Sequence, residues 1–125
     1  LKKTIIPLFY ILFVLLSCSD NDDTIMPACG VNNPIQELEW LRTEIERRKA
    51  NPNEDMKYCY IIQAEFNGED IFVYEDCNPF VDKAIPFFNC EGTMINTQDN
   101  PIGFDDIRNK VIIWKPKNFV CNIDF

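Results

Sequence analysis

The sequence contains no histidine. That absence removes Ser-His-Asp and Cys-His nucleophile systems, His-ligated zinc and imidazole acid–base catalysis. Positive charge is scarce, with 12 Lys and Arg against 20 Asp and Glu and a net charge of −8. Phosphate contacts need clustered positive charge, so no nucleic-acid partner is expected. None of the six cysteines forms a C-x-x-C pair, so a closed zinc site lacks its spacing. Nor is there an apolar run of the about 20 residues that a bilayer-spanning helix needs. Internal repeats are absent too, and 125 residues hold one domain at most.

What is present begins with a leader. Lys2 and Lys3 precede a twelve-residue apolar run at positions 5–16. Two positive charges, a short apolar core and a small residue before a boundary describe a secretory signal peptide over residues 1–17. The chain opens on Leu1, and we expect an alternative start codon or a residue or two upstream. Leu15-Leu16-Ser17-Cys18 matches a bacterial lipobox, in which the cysteine thiol receives a diacylglycerol and becomes the new N-terminus. Each buried CH2 of an acyl chain contributes about 0.8 kcal/mol, so several chains on Cys18 make a stable membrane anchor. Residues 18–28 are polar, acidic and without periodicity, and read as a flexible tether. Acids directly after the lipid cysteine resemble surface-export signals of some Gram-negative lipoproteins. Asp23-Thr24-Ile25 resembles an O-glycosylation acceptor of the same kind of bacteria. Loss of residues 1–17 deletes two lysines and no acid, taking the net charge from −8 to −10. The remaining domain is of a size that buries about 60–68% of its unfolded surface, enough for one modest core.

With Cys18 on lipid, Cys29, Cys59, Cys77, Cys90 and Cys121 remain. Export leads to an oxidising compartment, where disulfides persist; five is odd, so at most two bridges form within the chain and one thiol is left over. Spacing alone does not choose among the pairings. The favoured arrangement is Cys77–Cys90 across a short loop and Cys29–Cys121 between the two ends, with Cys59 free and buried.

Residues 29–125 read as a single α+β domain. Asn33 is placed to cap a helix, Pro34 suits its first position, and Gln36 sits where a capping-box partner belongs. Ile35, Leu38, Leu41 and Ile45 then form one apolar stripe, with Trp40 at its edge. Acids at the start and Arg47, Arg48 and Lys49 at the end complement the helix dipole. Asn67-Gly68 lies between two β-rich runs, which is a strong hairpin signal. A two-residue loop pairs Phe66 with Glu69, Ala64 with Ile71 and Ile62 with Val73. Tyr60, Ile62, Ala64, Phe66, Ile71 and Val73 then share the expected core face. The other face carries Ile61, Phe72 and Tyr74, which a one-sided sheet would not expose. Either a covering segment hides them or they form an aromatic contact patch. Short strands are expected at residues 85–89, with Pro86 marking an edge, at 93–96, and at 111–115, with a helical turn at 104–108. The expected architecture is one amphipathic helix on a small antiparallel sheet of four to five short strands, supported by disulfides.

Several pieces in order resemble a group of small envelope lipoproteins from Gram-negative anaerobes and marine bacteria. They are Cys29-Gly30, the Asn33-to-Leu41 helix segment, the hairpin running to Cys77-Asn78-Pro79, the stretch from Phe88 to Gly92, and the closing run from Val111 to Phe119. The resemblance implies an outer-membrane lipoprotein scaffold, periplasmic or surface facing, and carries over no catalytic residue.

The function expected from these features is a lipid-anchored, non-catalytic binding module with an envelope protein or glycan partner, monomeric and without a cofactor. A structural envelope role is the alternative. A carboxylate-based hydrolase would need a pair such as Glu75/Asp76 or Asp105/Asp106. Neighbouring acids in a strand point to opposite faces, which argues against the first pair. Calcium binding would draw on Asp99, Asn100, Asp105 and Asp106.

Overall fold

The computed structural model describes residues 25–125, in which a broken helix precedes and packs on a four-stranded antiparallel sheet. The expected leader at 1–17, lipid attachment at Cys18 and the tether up to Thr24 lie outside the described residues. Of the segment that composition assigns to the tether, Ile25 and Met26 are exposed and Ala28 is buried in the core.

The helix begins at Pro34, as its fixed φ favours, and comes in two pieces: α1 (Pro34–Glu37) and α2 (Glu39–Ala50). Leu38 between them is extended (φ −86°, ψ 106°), yet its N–H donates to Pro34 O and its carbonyl accepts from Arg42 N–H. The capping partner is Glu37 and not Gln36, because Glu37 Oε2 accepts the Asn33 N–H at 2.7 Å. The Asn33 side chain does not cap. Three basic residues occupy the last turn of α2, where they face the negative end of the dipole. Leu41, Ile45 and Arg48, spaced for one helical face, are all buried.

β1 (Cys59–Phe66) and β2 (Glu69–Asp76) form the hairpin around Asn67-Gly68. Phe66 faces Glu69, Ala64 faces Ile71 and Ile62 faces Val73, in the expected register. Asn67 (φ 50°) and Gly68 (φ 78°) both lie in the left-handed region, as a type I′ turn requires. β3 (Phe87–Phe88) adds to the outer edge of β2 just after Pro86, so the proline stands at the sheet edge. Residues 93–96 return alongside it through a single bridge between Phe88 and Met94. β4 (Arg108–Trp114) pairs with β1, giving the order β3-β2-β1-β4.

Both faces of this sheet are buried, which decides between the two readings of the second face. The expected core face carries Tyr60, Ile62, Ala64, Ile71 and Val73, joined by Phe87 of β3 and packed with Ile102 and Ile107. The C-terminal segment covers it further, with Tyr60 and Phe119 rings edge to face at 5.4 Å. The opposite face packs against α2. Ile61 and Phe72 are 0% exposed and Tyr74 is half-buried, so the expected contact patch is instead the helix-facing core. A bulge in β4 helps fill that core. Ile61 faces Trp114 while Ile62 faces Ile112, so Ile113 is the extra residue. Ile113 and Trp114, adjacent in sequence, consequently both pack in this cluster.

The four expected cysteines are bridged, but in another pairing: Cys29–Cys90 and Cys77–Cys121, with Cys59 free but half-buried rather than buried, since it stands at the open end of the hairpin. The reason is the antiparallel run of β3. Phe88 faces Phe72, which carries Cys90 on to Asp70, whose carbonyl lies 3.6 Å from the Cys90 sulfur. Cys77 lies seven residues along the strand from Asp70, about 23 Å away at about 3.3 Å per residue. A disulfide spans a Cα separation of no more than about 7 Å. Cys29 instead meets Cys90 at the turn end, its N–H donating to Asp70 Oδ2 at 2.7 Å. Cys121 meets Cys77 at the open end of the hairpin, where the Val120 N–H donates to Lys57 O. The two bridges thus staple opposite ends of one sheet.

Candidate functional site

Three polar constellations stand out. The first lies between α2 and the sheet. Arg48 is buried, its Nε donates to Glu44 Oε1 at 2.8 Å, and its guanidinium carbon sits 4.7 Å from the Tyr74 ring centre and 5.5 Å from that of Trp114. Arg47 grips the same carboxylate through Nε and Nη2, at 2.9 and 2.7 Å. Burial pushes the Glu44 carboxyl up, but the two guanidiniums outweigh it and hold its pKa below the usual value. Arg48 Nη1 is buried without a hydrogen-bond partner. Burial, with the Glu44 charge nearby, raises Tyr74 to about 12. This cluster fastens the helix to the sheet.

The second constellation lies at the open end of the hairpin. Cys59 and Asp76 face each other across β1 and β2, with sulfur and Asp76 Oδ2 3.6 Å apart. Burial, reinforced by the Asp76 charge, raises the Cys59 thiol, so it is not activated as a thiolate. Asp76 takes the Lys83 ammonium and the Asn78 N–H, and these outweigh its burial and lower its pKa. Glu75 points to the other face and is 9% exposed. Burial raises its pKa, and Tyr60 opposite is raised to about 12 by its own burial and by the Glu75 and Asp76 charges. Glu75 and Asp76 therefore do not act as a pair.

The third constellation is open to solvent. A cleft of about 420 Å³ at the turn end of the sheet is lined by Glu65, Asn67, Gly68, Asp106 and Arg108. The Asn67-Gly68 turn places the first three. β4 places Arg108 directly across from Glu65, and the 3-10 turn Phe104–Asp106 places Asp106. Each carboxylate is fixed by a neutral donor. Glu65 Oε2 accepts from Asn109 Nδ2 at 2.8 Å, and Asp106 Oδ2 accepts from Gly103 N–H at 2.7 Å. Ile107, buried at 2% exposure, anchors the wall between Asp106 and Arg108.

Asp106 therefore spends one oxygen on its own turn. Asn100 N–H donates to Thr97 in a separate turn. Asp99, Asp105 and Asp106, the acids a calcium site would draw on, do not form a metal-holding group. Among the described residues no group of three or more His, Cys, Asp or Glu could hold a metal ion. The hairpin register alone puts Glu65 beside the turn, but the cleft is not legible in the sequence, because Arg108 and Asp106 arrive through a long-range strand pairing.

A scan against protein-family models finds no match, and searches of curated proteins and of solved structures find none either.

Proposed function

We propose that this chain is an envelope lipoprotein, anchored to the outer membrane through lipid on Cys18, whose domain is a non-catalytic binding module. The observation that carries the binding role is the cleft formed by Glu65, Asn67, Gly68, Asp106 and Arg108, open to solvent on a sheet buried on both faces. Such a frame presents polar groups at fixed positions, which is what selective binding needs. The groups whose acidities are most disturbed, Tyr60 and Tyr74, pack into the two hydrophobic clusters and are committed to them. Anchoring is supported by the charged, apolar and small-residue order of positions 2–18. Two disulfides support export to an oxidising compartment.

Replacing Cys18 with Ala and fractionating the producing cells tests the anchor. Release of the variant from the membrane fraction is expected, and full retention would contradict it. Protease added to intact cells then separates the two orientations. Digestion places the domain outside, while protection until the outer membrane is opened places it in the periplasm.

A further inference from the structure

We propose that the turn-end cleft takes an uncharged saccharide, an assignment that rests on the binding-module reading and names its ligand class. Three observations converge. The cleft volume of about 420 Å³ falls in the range of small-molecule sites. Its charged groups do not neutralise one another. Glu65 Oε2 and Asp106 Oδ2 are each held by a neutral amide, leaving Oε1 and Oδ1 as open acceptors. Arg108 forms no ion pair among the described residues, although Glu65 stands across from it on the neighbouring strand.

A ligand for this set must give hydrogen to two carboxylates and accept it from one guanidinium. Two negative charges against one positive disfavour an anion. The unpaired Arg108 disfavours a cation. A sugar hydroxyl both donates and accepts, so a polyol satisfies all three groups through charge-assisted hydrogen bonds without bringing charge of its own. Asn67 lines the same cleft, and an asparagine amide carries both donor and acceptor groups. The turn that supplies Asp106 also carries Phe104, which is 36% exposed with its ring 6.1 Å from that of Phe125. Lys110 Nζ lies 4.8 Å from the centre of the Phe104 ring. Lys110 thus covers one face of that ring, and Phe104 does not line the cleft, so the polar groups alone carry the assignment.

The test titrates the full chain, 15N-labelled and purified from membranes in a detergent without sugar headgroups. Maltotetraose, chitotetraose and mannotetraose are added separately to millimolar concentration, with spermidine and calcium chloride as parallel arms. At least one oligosaccharide is expected to move the amide signals of Gly68, Asp106 and Arg108 while leaving Val73 unmoved. Arg108→Ala should weaken that binding about tenfold, the scale of one lost hydrogen bond to a charged group, with the rest of the spectrum retained. Movement of those amides by spermidine or calcium alone overturns the saccharide and leaves the binding module standing. No movement by any of the five overturns the saccharide and leaves a protein partner for the module.

Discussion

Glu44 and Arg48 show how unequal the two members of a buried pair are. Glu44 serves two guanidiniums, whereas Arg48 leaves one nitrogen unpartnered and buried. Glu44→Ala removes the one carboxylate that, among the described residues, bonds the buried Arg48, and should destabilise by about 3 kcal/mol in urea titrations. Arg48→Met keeps the packing on Tyr74 and Trp114, removes an unsatisfied nitrogen, and leaves Glu44 its Arg47 partner. Its expected loss is below about 1.5 kcal/mol. Glu75 makes a pH prediction. Its folded pKa is raised, so its contribution is most favourable below the unfolded value of 4.5 and is lost as pH rises through the folded value. Glu75→Gln should therefore raise Tm at neutral pH and lose that advantage in acid. Glu44 and Asp76 have lowered pKa values, so their contributions are present above the unfolded values and fade as pH falls. Scanning calorimetry of the variant and parent across acid to neutral pH checks the crossover.

At the scale of elements, the hairpin was readable because its cause is local. Asn67-Gly68 fixes the turn, the turn fixes the register, and the register fixes both faces. The helix was readable for the same reason up to a point. Its stripe of Ile35, Leu41 and Ile45 is buried, while the break at Leu38 and the role of Glu37 depend on how the two pieces dock. Docking also explains the second face. Nothing in β1 or β2 alone says that α2 covers Ile61 and Phe72, and the bulge at Ile113 is visible only once β4 is paired. Gly92 records the same long-range fit. It sits at φ +77°, and a Cβ there would lie 2.7 Å from the Trp40 ring, whose Nε1 donates to Cys90 O. Gly92→Ala combines backbone strain with displacement of the helix, and is expected to lower stability by about 2–3 kcal/mol in denaturant titration.

Over the whole molecule, the sheet is the frame, and everything else is tied to its two faces and two ends. One helix pattern followed by short strand patterns was enough for the α+β class, and the cysteine count for two bridges with one thiol left over. They were not enough for the pairing, because the course of β3 decides which cysteine reaches which end. Each bridge closes a long loop, with sequence separations of 61 and 44, so each is worth about 4 kcal/mol in the chain-entropy picture. The joint change Cys77→Ser and Cys121→Ser should lower Tm and, in hydrogen exchange, expose amides on the tail-facing side of the sheet before those under α2. The cleft belongs to this scale as well, since its walls come from the hairpin turn, β4 and the 3-10 turn before it.

The most direct test of the account is a non-reducing peptide map, by mass spectrometry, of the protein purified from cell membranes. The account predicts an N-terminal peptide beginning at an acylated Cys18. It also predicts cross-linked peptides joining Cys29 to Cys90 and Cys77 to Cys121, with Cys59 open to alkylation after unfolding. An uncleaved leader, an unmodified Cys18 or a Cys77–Cys90 cross-link would contradict it.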